Sequence, residues 1–211
     1  MQALQHLELS VAQRQRLVGL LAVAAILWTQ NAWAHEEVGV AGGLISGLLH
    51  PVLGLDHLVA MVAVGLWGAI LGQPSIWILP VTFPLVMAFG ALLGVAGVPM
   101  PGVEFAIAGS ALALGIAVLT QSRPPLWLAA IIVGFFAIFH GHAHGSEMPG
   151  ASNSLAYGVG FVIATGLLHL SGIMIGLIVR WPAGLVTVRC CGAAIAAVGL
   201  YFIAGSSGLI T

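Results

Sequence analysis

Two short stretches carry most of the side chains in this chain that can hold a metal ion or move a proton. They are His50-Pro51-Val52-Leu53-Gly54-Leu55-Asp56-His57 and Phe139-His140-Gly141-His142-Ala143-His144-Gly145-Ser146-Glu147. Together they hold five of the eight histidines and two of the six acidic residues, although only 5% of the chain is charged. Both border apolar runs, and each ionisable group taken into hydrocarbon costs roughly several kcal/mol. That expense points to function. Imidazoles with one or two carboxylates and no thiolate suit Ni2+, Co2+, Cu2+ or Zn2+ better than Ca2+ or Mg2+. Spacing alone does not choose among these ions.

Pro51 suits the first position of a helix, so the helix holding Asp56 and His57 is expected to start there, with His50 just before it and folded back toward the same opening. The dipole at that helix end repels a cation, which makes Asp56 the counter-charge and a partner able to orient an imidazole. The plain alternative is a helix-start carboxylate with two interfacial histidines. In the second stretch, about 100° per residue puts His140, His144 and Glu147 on one stripe and His142 opposite, if the segment is helical throughout. Gly141 and Gly145 can break that geometry, and a polar, glycine-rich helix exit is the alternative there. His169 sits near the middle of the apolar run 152–179 with Thr165 and Ser171, a pathway candidate by default; the alternative is a structural hydrogen bond between helices. Glu104, at the start of a run, is expected to face water.

These groups must be positioned by membrane helices. With 60% hydrophobic residues, a mean hydropathy of +1.13 and repeated apolar runs of about 18 residues or more, the chain reads as an all-α, polytopic helical membrane protein. Apolar segments fall at 57–72, 75–97, 103–121, 125–144, 152–179 and 183–204, giving six transmembrane helices. The short stretch Val38–Leu49 is either a re-entrant half-helix or part of a broken seventh span. Arg123 and Arg180 fall on the cytoplasmic side only if that stretch does not cross by itself, and both motifs then share the outer side.

At the N-terminus, Arg14 and Arg16 precede an apolar run from Leu17 to Trp28, and Ala32-Trp33-Ala34 fits a signal-peptide cleavage site. Residues 1–34 are therefore expected to be a cleavable signal peptide and 35–211 a single transmembrane domain. Cleavage would expose His35, whose free α-amine and imidazole can chelate a transition metal; an ordinary solvated terminus is the equal alternative.

The 29 glycines include Gly68-x3-Gly72, Gly90-x3-Gly94 and Gly172-x3-Gly176, pairs that let helix backbones approach closely. Trp67, Trp77, Trp127 and Trp181 are expected as interfacial anchors. Adjacent Cys190 and Cys191 read as buried small residues. A net charge of −1 without a basic cluster excludes a nucleic-acid footprint, and the absence of any lysine excludes a Walker A loop and Schiff-base chemistry.

On these residues the sequence resembles the HupE/UreJ family of nickel and cobalt permeases. The family's H-x5-D-H pattern is matched by His50, Asp56 and His57, and its F-H-G-x-A-[AH]-G-x-E pattern by Phe139 through Glu147. The similarity extends to the signal peptide followed by His35 and to Leu167-Leu168-His169-Leu170-Ser171-Gly172. It implies a transporter domain over 35–211, not an enzyme, in the inner (plasma) membrane of a bacterium with its mature N-terminus periplasmic. The implied partners are the lipid bilayer and a divalent transition-metal ion, Ni2+ or Co2+ with Zn2+ or Cu2+ as further options, carried without a resident cofactor. By motif position it implies ligand or pathway roles for His50, Asp56, His57, His140 and Glu147, and less directly for His144 and His169. His142 falls at the family's variable position. Ligating imidazoles must be neutral, so uptake is expected to fall as pH drops below about 6.5. The competing reading is an intramembrane metal-dependent enzyme, which lacks an HExxH motif. Oligomeric state is not legible in the chain.

Overall fold

The computed structural model describes residues 39–147 and 153–209, so the signal-peptide expectation and His35 lie outside the described residues. Those residues form seven α-helices and one short 3-10 turn, with no strand among them. The helices are α1 (Gly39–Leu53), α2 (Leu55–Leu71), α3 (Ser75–Val95), α4 (Val103–Leu119), α5 (Leu126–Ser146), α6 (Ser154–Gly176) and α7 (Pro182–Ser206), with the 3-10 turn Leu177–Arg180 closing α6. Four are each long and apolar enough to cross a bilayer: α3, α5, α6 with its turn, and α7. A fifth candidate appears when α1 and α2 count as one span bent by 78°. α4 is apolar but has only 17 residues.

Leucines and phenylalanines such as Leu85, Phe89, Leu92, Phe135 and Leu167 cover the outside. An apolar exterior of this kind suits lipid rather than water. The centre is α2, buried almost continuously from Val59 to Ile70. Glycine sets how closely its neighbours pack. A Cβ on Gly172 would strike the Val62 carbonyl, and one on Gly65 the His169 carbonyl, so α2 and α6 touch backbone to backbone. Gly90 and Gly94 do the same for α3 against Ile138 and His142 of α5, and Gly115 and Gly192 for α4 against α7.

Four expectations are corrected. The break before the Asp56–His57 helix comes at Gly54, not Pro51: α1 runs through Pro51 to Leu53, and the missing N–H of Pro51 weakens its last turn just before the extended backbone of Gly54. Gly72 ends α2 with φ 79 and has open space around it, so it is a turn residue rather than a packing one. Trp67 is a core residue, 2% exposed, donating its Nε1–H to the Ser122 carbonyl at 2.9 Å; the other three tryptophans are exposed as anchors should be. Cys190 is exposed and Cys191 half-buried, because Val188, Gly192 and Ile195 form the inward face of α7.

Candidate metal centre

Gly54 sets the entry to the site. Its backbone is extended (φ −78, ψ 104), and a Cβ there would lie 3.2 Å from His57 Nδ1 and 3.3 Å from Asp56 Oδ1. The missing side chain leaves room for the pair in the first turn of α2. Asp56 Oδ1 accepts the His57 Nδ1–H at 2.7 Å and the His57 backbone N–H at 2.9 Å. A carboxylate has no proton to give, so the hydrogen sits on Nδ1 and the Nε2 lone pair is free. This is the carboxylate–histidine arrangement that orients an imidazole toward a metal.

The second motif stays helical to Ser146. Gly141 and Gly145 do not break α5. They seat it on α3, where a Cβ would run into the Met87 and Ala91 carbonyls. The stripe therefore survives for its two histidines but not for Glu147, which lies just past the helix end: His140 and His144 face His57, and His142 points away to donate Nε2–H to the Val98 carbonyl at 2.7 Å. Ser110 of α4 fixes the His140 tautomer. Its one hydroxyl proton goes to the Ile107 carbonyl at 2.6 Å, so at 2.9 Å it accepts Nε2–H from His140, leaving Nδ1 as the free lone pair.

One nitrogen from each of His57, His140 and His144 lies within 4.8 Å of the others, and all three residues are buried. His57 Nε2, His140 Nδ1 and both nitrogens of His144 have no hydrogen-bond partner. Three imidazoles sharing one tetrahedral ion at about 2.1 Å stand about 3.4 Å apart, so a contraction of up to about 1.4 Å would close the three around a cation. Buried polar atoms are normally paired, and this group is not.

The other sequence-derived candidates lie around this group. The half-buried His50 ring is 4.8 Å from His144 and 6.0 Å from His57, forming one wall. Tyr157 and Phe161 of α6 line the same side, Phe161 at 4.2 Å from His144. Glu147 is exposed at the end of α5, near Tyr157 and outside the three-imidazole group. His169 is separated from the group by Phe83, whose ring is 5.5 Å from both His140 and His169. Sequence reasoning missed Ser110 and Phe83. Ser110 had a signal, as the only polar side chain on α4 between Glu104 and Thr120. Phe83 had none, being one aromatic among many.

Residues 21–202 match the family described as HupE / UreJ protein. The chain is 45% identical over 173 residues to Protein HupE of Rhizobium leguminosarum bv. viciae, an alignment covering 82% of this chain and 91% of that protein. No solved structure matches the chain.

Proposed function

The chain belongs to the HupE/UreJ family, and from that premise we propose that it is a membrane permease admitting Ni2+ or Co2+ through the histidine cluster. One observation carries the reading: three buried imidazoles offer unpartnered nitrogens to a common point inside an apolar bundle. Each unmade hydrogen bond costs about 1–3 kcal/mol, and an arriving divalent cation would satisfy one nitrogen of each ring at once. Asp56 balances part of its charge while holding His57 in the ligating tautomer, and Ser110 does the latter for His140. His50 and the exposed Glu147 stand toward the mouth, where they receive the hydrated ion. Binding has to stay weak enough for release.

The path of the chain supports an outward-facing mouth. α1 lies along the first half of α6, with Gly47 against Tyr157 and Leu44 against Gly160. α2 continues along its second half, with Val62 against Gly172 and Leu66 against Gly176. This run of contacts supports reading the bent pair as one crossing, which with the shorter α4 counted as a span makes six. Arg123 and Arg180 follow the ends of α4 and α6 remote from the cluster, and the preference of arginine for the cytoplasmic side turns the cluster outward. A negative-inside potential then favours entry by about 2.3 kcal/mol per charge per 100 mV, with no nucleotide site required.

The test is uptake of Ni2+ and of Co2+ into proteoliposomes under a fixed negative-inside potential, read with an entrapped metal indicator. Wild type is expected to admit one or both ions, and Asp56→Ala combined with His57→Ala to admit neither. Equal entry by the double variant would sink the reading.

A further inference from the structure

Thr165 and His169 lie one helical turn apart on the same face of α6, in the middle of the bundle. They are 0% and 2% exposed, and neither Thr165 Oγ1 nor either His169 ring nitrogen has a hydrogen-bond partner. A third polar group joins them. The Pro80 carbonyl of α3 lies beside the His169 ring without completing a hydrogen bond to it. In an uninterrupted helix that carbonyl would accept from the backbone N–H of residue 84, and Pro84 has none. So α3 brings a carbonyl oxygen that lacks its usual helical donor next to an imidazole and a hydroxyl that have no partner. Packing does not account for that, since apolar residues would fill the same space without the desolvation cost. The Phe83 ring, fully buried, stands between this group and His140, edge-on to His169 with an interplanar angle of 86°.

We propose that His169 and Thr165 form a second, inner station for the transported ion, reached from the three-histidine cluster past the Phe83 ring. The inference rests on the permease reading above and adds a step to it. One imidazole with a hydroxyl and a backbone carbonyl is a weaker donor set for a borderline transition metal than three imidazoles. An ion that has left the cluster therefore meets a site that can let it go, which conduction requires. Two dications at such neighbouring stations repel strongly in a poorly screened interior, so the ion occupies them in turn.

The experiment compares wild type, His169→Leu and Thr165→Val as full-length protein with two readouts. Co2+ binding in detergent is followed by the cobalt absorption spectrum, and Co2+ uptake is followed in proteoliposomes. Both variants are expected to bind Co2+ with wild-type affinity at the outer cluster, with uptake falling by about tenfold or more in His169→Leu and by a smaller factor in Thr165→Val. Uptake at the wild-type rate in both variants overturns the proposal. So does a parallel loss of binding and uptake in Thr165→Val, which marks a structural role. Should His169→Leu not fold, Thr165→Val, which removes a single hydroxyl, decides alone. A wild-type protein that neither binds nor admits Co2+ overturns the permease reading and this one together, an outcome distinct from a wild type that transports and a variant that does so equally well.

Discussion

At the scale of single residues, the site depends on which nitrogen of each imidazole is free. Asp56 and Ser110 make that choice without facing the common point themselves. Asp56→Asn removes the charge that holds the Nδ1 proton of His57, so a share of the rings turns an N–H toward the ion. Partners of this kind typically contribute about 10–100-fold to metal affinity, and equilibrium Ni2+ binding to the purified protein should weaken within that range. Ser110→Ala should weaken it toward the lower end, because the packing around His140 still holds the ring in place. His142→Ala is expected to change binding by less than about twofold, since that ring serves the Val98 carbonyl. An effect as large as that of Asp56→Asn would mean that His142 is a ligand. The division between His140 and His144 on one side and His142 on the other was legible from helical periodicity alone. Ser110 was not, because its partner lies 30 residues away on another helix and only the tertiary approach of α4 to α5 joins them.

At the scale of the helix, the glycines of the second motif have a job apart from the ion. Gly141 and Gly145 bring the backbone of α5 onto that of α3, and this contact fixes the depth at which His140 and His144 sit. Gly141→Leu should force the two helices apart and destabilise the protein by about 1–3 kcal/mol, the usual cost of overpacking. Gly166→Ala is the control: nothing lies near its missing Cβ, so it should be neutral or stabilising by up to about 1 kcal/mol. Thermal unfolding in detergent separates the two, and equal behaviour would mean that the α3–α5 approach is not tight in solution. Sequence spacing found the packing pairs Gly90–Gly94 and Gly172–Gly176. It failed at Gly72 because small-x3-small spacing does not register that the helix ends there. It failed at Pro51 for a related reason, since a proline that weakens the end of one helix looks in sequence like the start of the next, and the extended backbone of Gly54 marks the break.

At the scale of the molecule, the number of crossings decides which side the site faces. Apolar runs in the sequence gave the helices from α2 to α7 within a few residues of their ends. The segment before them was ambiguous, because a dozen apolar residues fit a re-entrant piece and a broken span equally. The line of contact along α6, made first by α1 and then by α2, favours half of one bent crossing. On the proposed six-span count, the loop after α4 and the segment after α7 would lie on opposite sides of the membrane, with Arg123 expected on the cytoplasmic side and the cluster outside. Single cysteines placed at Ser122 and Ser207, in a protein with Cys190 and Cys191 changed to serine, test this in intact cells. A membrane-impermeant maleimide should label Ser207→Cys from outside and should label Ser122→Cys only after the cells are opened. The reverse pattern would place the cluster on the cytoplasmic side, so that the same three imidazoles would meet the ion on its way out, and the protein would be read as an exporter.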